Sequence, residues 1–350
     1  MIDISILARR NIRELVPYSS AGDAFREEDY IFLNANENSL GSVTGGDLNR
    51  YPDPHQREFK SKIATLESLP PERIFLGNGS DEAIDLLIRA FCEPGKDRVM
   101  ILPPTYGMYE VCANINDVPV VKIPLDEEYD IDTEAALRDS QGLKLIFLCS
   151  PNNPTGNLLN RDKITMILSE FSGLVIVDEA YIDFAEGKNW LSELPHYRNL
   201  VILRTFSKAW GMANIRLGMA FADPDIIDLI SRIKYPYNVN GLTLETAERA
   251  LRNLQAKQAM IDAILKGREI LQRELSQSPL VKKIFPSQAN FLLVQFNRSE
   301  KVYDYLLQNR IIVRNFSTNP LTKDCLRITV GTPEENTKLL ETLKQLENDK

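Results

Sequence analysis

Leu143-Lys144-Leu145-Ile146-Phe147-Leu148-Cys149-Ser150-Pro151-Asn152-Asn153-Pro154-Thr155-Gly156 runs from a stretch that is apolar but for Lys144 into a turn of prolines, amides and a glycine. A short apolar run bounded by turn residues reads as a buried strand. In an open α/β sheet the residues that follow such a strand lie at its carboxyl edge, where ligands bind. A plain turn needs the proline and the glycine but not both asparagines.

The same grammar repeats on either side. From Pro71 to about Asn240, short apolar runs alternate with helical patterns, which is the mark of βαβ units and of a mostly parallel sheet covered by helices. The expected strands are 99–102, 143–149, 174–177 and 201–204. Between Ser80 and Cys92 the apolar residues Ala83, Leu86, Leu87, Ala90 and Phe91 keep helical spacing, and Pro94-Gly95 ends that helix.

Three further junctions carry chemistry. Phe75-Leu76-Gly77-Asn78-Gly79-Ser80 joins an apolar stretch to a helix, so its glycines allow close backbone approach and the helix start presents free N–H groups, a phosphate-binding geometry. Taken alone it is equally a tight turn, and Glu82 stands where a dinucleotide fingerprint needs its third glycine. Val175-Ile176-Val177-Asp178-Glu179-Ala180-Tyr181 sends an apolar strand into a carboxylate, so Asp178 needs a partner. That partner is either a structural arginine or helix N-terminus, or a bound group. Thr205-Phe206-Ser207-Lys208-Ala209-Trp210-Gly211 sets a lysine at the same edge, eight residues before Arg216.

With these motifs on the page, the chain resembles the fold-type I pyridoxal-phosphate aminotransferases, class II, and within them the histidinol-phosphate aminotransferases, along nearly its whole length. The motifs that carry the resemblance are LNANEN, NRYPDP, GNGSDE, LIRAFCEPGKD, PPTYGMY, CSPNNPTG, VDEAYIDF, RTFSKAWG and CLRITVGT. It implies that Lys208 bonds the cofactor, that Asp178 partners its pyridinium nitrogen, and that Asn153 and Tyr181 hydrogen-bond its phenolic oxygen. Tyr106 would stack on the ring, or else simply pack the core. Gly79, Ser80, Asp81, Ser207 and Arg216 would surround the phosphate, with Asp81 better suited to the first helical turn than to direct contact, and Tyr51 reaching over from a second subunit.

For the substrate, the resemblance points to Tyr18, Asn36, Tyr51 and Asn153, with Arg327 on the carboxylate and Arg314 on the anionic tail. Bidentate guanidinium groups suit both anions. Arg314 also has a plain reading, as the partner of an acidic neighbour. The implied reaction moves an amino group between L-histidinol phosphate and 2-oxoglutarate in histidine biosynthesis. Aromatic amino acids as substrates, and decarboxylation of the threonine-phosphate kind, are the alternatives. One departure is Ala213-Asn214, where the family usually has a glycine; Asn accepts a left-handed backbone better than most residues, so a small local adjustment is expected.

Composition bounds the rest. The chain has 350 residues, 41 Lys and Arg against 49 Asp and Glu, and a net charge of -8, which argues against nucleic acid or anionic membrane as a partner. Cys92, Cys112, Cys149 and Cys325 lack CxxC spacing, and with only His55 and His196 beside them a metal site is not expected. Residues 1–17 are too charged for a signal peptide, so a cytoplasmic protein is the expectation, and the N-terminal arm with Tyr51 on a turn-rich loop points to a homodimer with shared sites. The expected layout is an arm and loop over 1–45, a large cofactor-binding domain over 46–240 and a small α+β domain over 241–350. The small domain should contain a helical region over 244–275, apolar elements at 291–296, 311–313 and 326–330, and a closing helix at 333–346.

Overall fold

Period-two alternation sorts the apolar residues of each strand onto two faces, and both faces are buried. Met100, Ile146, Leu148, Val175, Val177 and Ile202 belong to one core; Val99, Ile101, Leu145, Phe147, Ile176 and Val201 belong to the other. Strands covered on both sides have no need of polar residues until they end, which is why the runs read as continuous apolar stretches.

The computed structural model describes residues 3–18, 31–46, 48–140 and 142–348. Its larger sheet contains β1 (Ile74–Asn78), β2 (Arg98–Ile101), β3 (Val120–Lys122), β4 (Leu143–Cys149), β5 (Leu174–Asp178), β6 (Leu200–Thr205) and β7 (Leu217–Phe221), in the order β1-β7-β6-β5-β4-β2-β3. Strands β3, β2, β4, β5 and β6 pair in parallel, whereas β7 runs antiparallel to both β6 and β1. The register sets Cys149 opposite Asp178 and Thr205 opposite Gly218. The carboxyl ends of β4, β5 and β6 therefore share one edge. Because β7 is reversed, its amino end, with Arg216 just before it, lies at that edge too.

The smaller sheet, β8 (Val281–Ile284), β9 (Phe291–Phe296), β10 (Arg314–Asn315) and β11 (Cys325–Thr329), is antiparallel in the order β10-β11-β9-β8. Leu292, Val294, Leu326 and Ile328 pack on Leu271, Leu306, Leu339 and Leu343 from the helices Leu254–Leu275, Ser299–Gln308 and Pro333–Asn348. The backbone contact from Gln288 N–H to the Gly156 carbonyl, 2.7 Å, ties this unit to the loop after β4.

The expected helical region over 244–275 holds two helices, Gly241–Leu251 and Leu254–Leu275, because the chain breaks at Arg252-Asn253. Two expectations need correction. Residues 311–313 form no strand; Ile311 and Val313 pack as loop residues, and the pairing begins only at Arg314. The expected arm begins inside the core, since Ile4, the first residue of the helix Ile4–Leu7, and Ala8, which caps it, are buried against the large sheet. Among the described residues no helix is long and apolar enough to cross a membrane.

Candidate active site

Glycine shapes the turn between β1 and the helix Gly79–Phe91. Gly79 adopts φ +73, and a Cβ there would stand 2.7 Å from Arg216 Nη2, so a larger residue would displace the guanidinium. A Cβ on Gly218 of β7 would overlap the Ser80 amide nitrogen, so the two glycines together let the turn lie against the strand. The Gly79 N–H donates to the Arg216 carbonyl at 2.7 Å. Glu82 in the first helical turn accepts from the Asn78 N–H at 2.5 Å and from the buried Asn238 amide at 3.1 Å, closing the helix start from behind.

Gly79, Ser80 and Asp81 line one cavity with Tyr106, Cys149, Asn153, Asp178, Ala180, Tyr181, Thr205, Ser207, Lys208 and Arg216. The sequence motifs therefore meet in space as expected. Arg216 Nη1 lies 3.5 Å from Ser207 Oγ, and Nη2 lies 3.5 Å from Asp81 Oδ2. Asp81 also accepts from the Tyr106 hydroxyl at 3.1 Å. The left-handed residue of the preceding turn is Arg216 itself, at φ 53, and not Asn214, which sits inside a short 3-10 turn, Ala213–Ile215. The adjustment expected at Asn214 falls two residues later.

Asp178 is buried at the end of β5. It accepts from the Tyr109 hydroxyl at 2.6 Å and from the Ala180 N–H at 3.0 Å, and burial lifts its carboxyl to about 6 against those two bonds. Among the described residues neither an arginine nor a helix N-terminus is its partner. The acid beside it, Glu179, is the one held by an arginine, at 2.9 Å from Arg204. Tyr109 was not anticipated; its signal was the second tyrosine of PPTYGMY, at a spacing that also suits simple packing.

The Lys208 amine faces the Tyr181 ring, 5.4 Å from its centroid. Burial, followed by the charge of Arg327, pulls its pKa below the usual lysine range, against Asp178 and Asp81. Arg327 donates to Asn153 Oδ1, and its guanidinium lies 5.2 Å from the Phe291 ring. Burial and the like charge of Arg314 hold the Arg327 pKa down as well.

Arg314 and Arg327 are direct register partners on β10 and β11. Both line a second cavity of about 800 Å³ that shares Tyr106 and Asn153 with the first. Among the described residues neither arginine forms an ion pair with a carboxylate, so the acidic-neighbour reading of Arg314 is not what the structure shows.

Tyr18, Asn36 and Tyr51 do not line either cavity. Tyr18 is exposed, Asn36 sits at φ 54, and Tyr51 stacks on Tyr237 with ring centroids 4.4 Å apart. Asn36's neighbours Ala35 and Glu37 share a separate cavity of about 600 Å³ with Tyr51.

Comparison with known proteins agrees with this geometry. The family model described as aminotransferase class I and II matches residues 27–343. A histidinol-phosphate aminotransferase of Cytophaga hutchinsonii is 52% identical over 97% of each chain, and one of Parabacteroides distasonis is 49% identical over 99% of each. Among solved structures, the histidinol-phosphate aminotransferase from Clostridium acetobutylicum has a TM-score of 0.80 at 30% identity, covering 87% of this chain and 92% of that one. A motif set that converges on one sheet edge, a family model spanning both sheets and relatives matched from end to end all lead to one assignment: the chain belongs to the class I and II aminotransferase family.

Proposed function

We propose that the chain transfers the amino group between L-histidinol phosphate and 2-oxoglutarate, giving imidazole-acetol phosphate and L-glutamate, in L-histidine biosynthesis. The observation that carries this reading is the pair Arg314 and Arg327, opposite each other in register and, among the described residues, without carboxylate partners, on a cavity that shares Tyr106 and Asn153 with the Lys208 site. An amino donor ending in phosphate and an acceptor with two carboxylates both need such cations. The curated relatives named above, matched over almost their whole length, support the same substrate.

The cofactor of this reading is pyridoxal 5'-phosphate, and the residues present fit it. Gly79, Ser80, Ser207 and Arg216 form a cationic, N–H-rich cradle that a Cβ at position 79 would fill, suited to a phosphate. Asp178 offers a buried negative charge for a protonated ring nitrogen, Asn153 and Tyr181 offer hydrogen bonds to the phenolic oxygen, and Tyr106 flanks the ring. Asp81 acts at second hand, by holding Arg216 and Tyr106. When bound, the group supplies an electron sink for the bond broken at the substrate carbon.

The chain does the rest. Lys208 would hold the group covalently through Nζ until substrate takes that place, and the released Nζ would carry the proton taken from the substrate's α-carbon. Arg327 and Asn153 orient the substrate. The residues 46–240 make the cofactor unit and 241–350 the unit that brings Arg314 and Arg327 to it.

Assays with histidinol phosphate, phenylalanine, tyrosine and phosphothreonine as donors decide the substrate. A higher kcat/KM for any of the last three would overturn the reading. Arg327, half-buried, is expected to cost about 2 to 5 kcal/mol of binding to both half-reactions when changed to alanine. Arg314 is exposed, so Arg314→Ala is expected to cost closer to about 1 kcal/mol, roughly fivefold in KM, and for histidinol phosphate alone. Equal losses for glutamate would remove Arg314 from the phosphate site.

The working form in this reading is a cytoplasmic homodimer whose sites are completed by Tyr51, and by Tyr18 and Asn36, of the partner subunit. Support comes from the exposed apolar side chains of Val16, Ile31, Leu33, Leu40 and Val43, an unusual concentration for a free surface. Mixing inactive Tyr51→Ala and Lys208→Ala proteins under verified subunit exchange is expected to restore part of the activity, because one of the two sites in a mixed dimer is intact. No recovery would count against sharing.

A further inference from the structure

Asp178 has a feature that its motif does not explain. It is a buried carboxylate, and among the described residues no cation lies within salt-bridge distance of it. Buried carboxylates are usually paired, because an unpaired charge is costly in a low-dielectric interior. Here both hydrogen-bond partners are neutral: the Tyr109 hydroxyl on Oδ2 at 2.6 Å and the Ala180 N–H on Oδ1 at 3.0 Å. One donor on each oxygen fixes the plane of the carboxylate without cancelling its charge.

The Tyr109 side chain has little freedom to do anything else. It has no exposed surface, its ring stacks on Phe147 with centroids 4.8 Å apart, and it meets the edge of Tyr106 at 5.5 Å. Burial and the neighbouring Asp178 push its phenol pKa well above the usual value, so it stays a donor across the working pH range. An O–H to O⁻ bond of 2.6 Å is a charge-assisted bond that favours the ionised carboxylate.

We propose that Tyr109 is a positioning residue: its hydroxyl holds the Asp178 carboxylate charged and fixed in orientation, and so sets how strongly the chain binds the protonated ring nitrogen of pyridoxal phosphate. This rests on the assignment of Asp178 to that nitrogen made above. Without the hydroxyl, nothing but the Ala180 N–H opposes protonation of Asp178 by direct bonding. The remaining groups that face it are Lys208, which favours its charge, Asp81, which disfavours it, and the weakly acidic Cys149, Tyr106 and Tyr181. A protonated Asp178 can no longer pair with a cationic ring. Cofactor affinity should therefore fall as pH drops through the carboxyl's pKa, and Tyr109→Phe should move that fall to higher pH.

The test uses the full chain stripped of cofactor and titrated with two probes: pyridoxal phosphate, and its 1-deaza analogue, in which carbon replaces the ring nitrogen. Tyr109→Phe is expected to weaken pyridoxal phosphate about 10- to 100-fold, since a hydrogen bond to a charged group is lost, and to leave the deaza analogue's affinity unchanged. The pH midpoint of pyridoxal phosphate binding should rise by about one to two units. Tyr109→His, which restores an N–H donor, should recover part of the loss, and is the variant to read should Tyr109→Phe not fold. A merely structural role would weaken both probes alike. That result, or no change with either probe, overturns the proposal. Asp178→Asn separates the two layers. If it keeps the preference for pyridoxal phosphate over the deaza analogue, the assignment of Asp178 itself fails; if it abolishes the preference while Tyr109→Phe keeps it, only the role of Tyr109 fails.

Discussion

Lys208→Ala is expected to abolish turnover while the protein remains folded and still takes up pyridoxal phosphate, more weakly. The amine lies where the loop after β6 meets Tyr181, and burial with the charge of Arg327 lowers its pKa, which favours the neutral, nucleophilic form. In the proposed reading two roles would be lost together: the covalent hold on the cofactor and the proton carrier at the substrate's α-carbon. Acid–base catalysis alone is worth about 10²- to 10⁴-fold. Lys208→Arg should fail nearly as badly, since a guanidinium is not deprotonated in this range. Borohydride reduction of the loaded wild type, followed by peptide mapping, should place the pyridoxyl group on Lys208, and attachment to any other lysine would sink the assignment. The alanine variant should release all its cofactor on dialysis after the same treatment. Stability should change little, because the side chain is half-buried and makes no hydrogen bond among the described residues.

Much of this site could be read from the chain because parallel strands buried on both faces leave their polar residues at one end. Cys149, Asp178 and Thr205 each close an apolar run, and the structure sets all three on one edge. Arg216 is a different case. It precedes its strand, and only the reversal of β7 carries it to the same edge, which no local pattern reveals. Tyr109 was hidden for another reason: a buried tyrosine at helical spacing looks like core, and the carboxylate it serves is 69 positions away in sequence. The break at Arg252-Asn253 escaped because neither residue is a strong helix breaker, and the loop at 311–313 escaped because its apolar side chains pack without joining a ladder. Ile4 shows the converse failure, since a single apolar residue in a charged segment can be anchored by burial that periodicity over so short a stretch does not register.

Asp178→Asn is expected to lower kcat by roughly 30- to 5000-fold with the fold intact, corresponding to about 2 to 5 kcal/mol for a desolvated charged partner removed. The amide can still accept from the Tyr109 hydroxyl, so the hydrogen-bonded frame survives, but a neutral group cannot keep a ring nitrogen protonated. The same substitution should leave the cofactor-free protein at least as stable as the wild type at pH 8. The sign follows from burial. Burial pushes the carboxyl up from an ordinary 3.8 to about 6 in the folded chain, so between those values the folded state binds more protons than the unfolded one. Ionised Asp178 therefore opposes folding, fully so above about pH 6, and that opposition fades as pH falls toward 4. Thermal melts of the two cofactor-free proteins should accordingly differ most at pH 8 and converge on acidification. A variant that melts far below wild type at pH 8 would mean that the charge holds the fold together, and one that keeps the wild-type rate of α-proton loss would remove Asp178 from the chemistry.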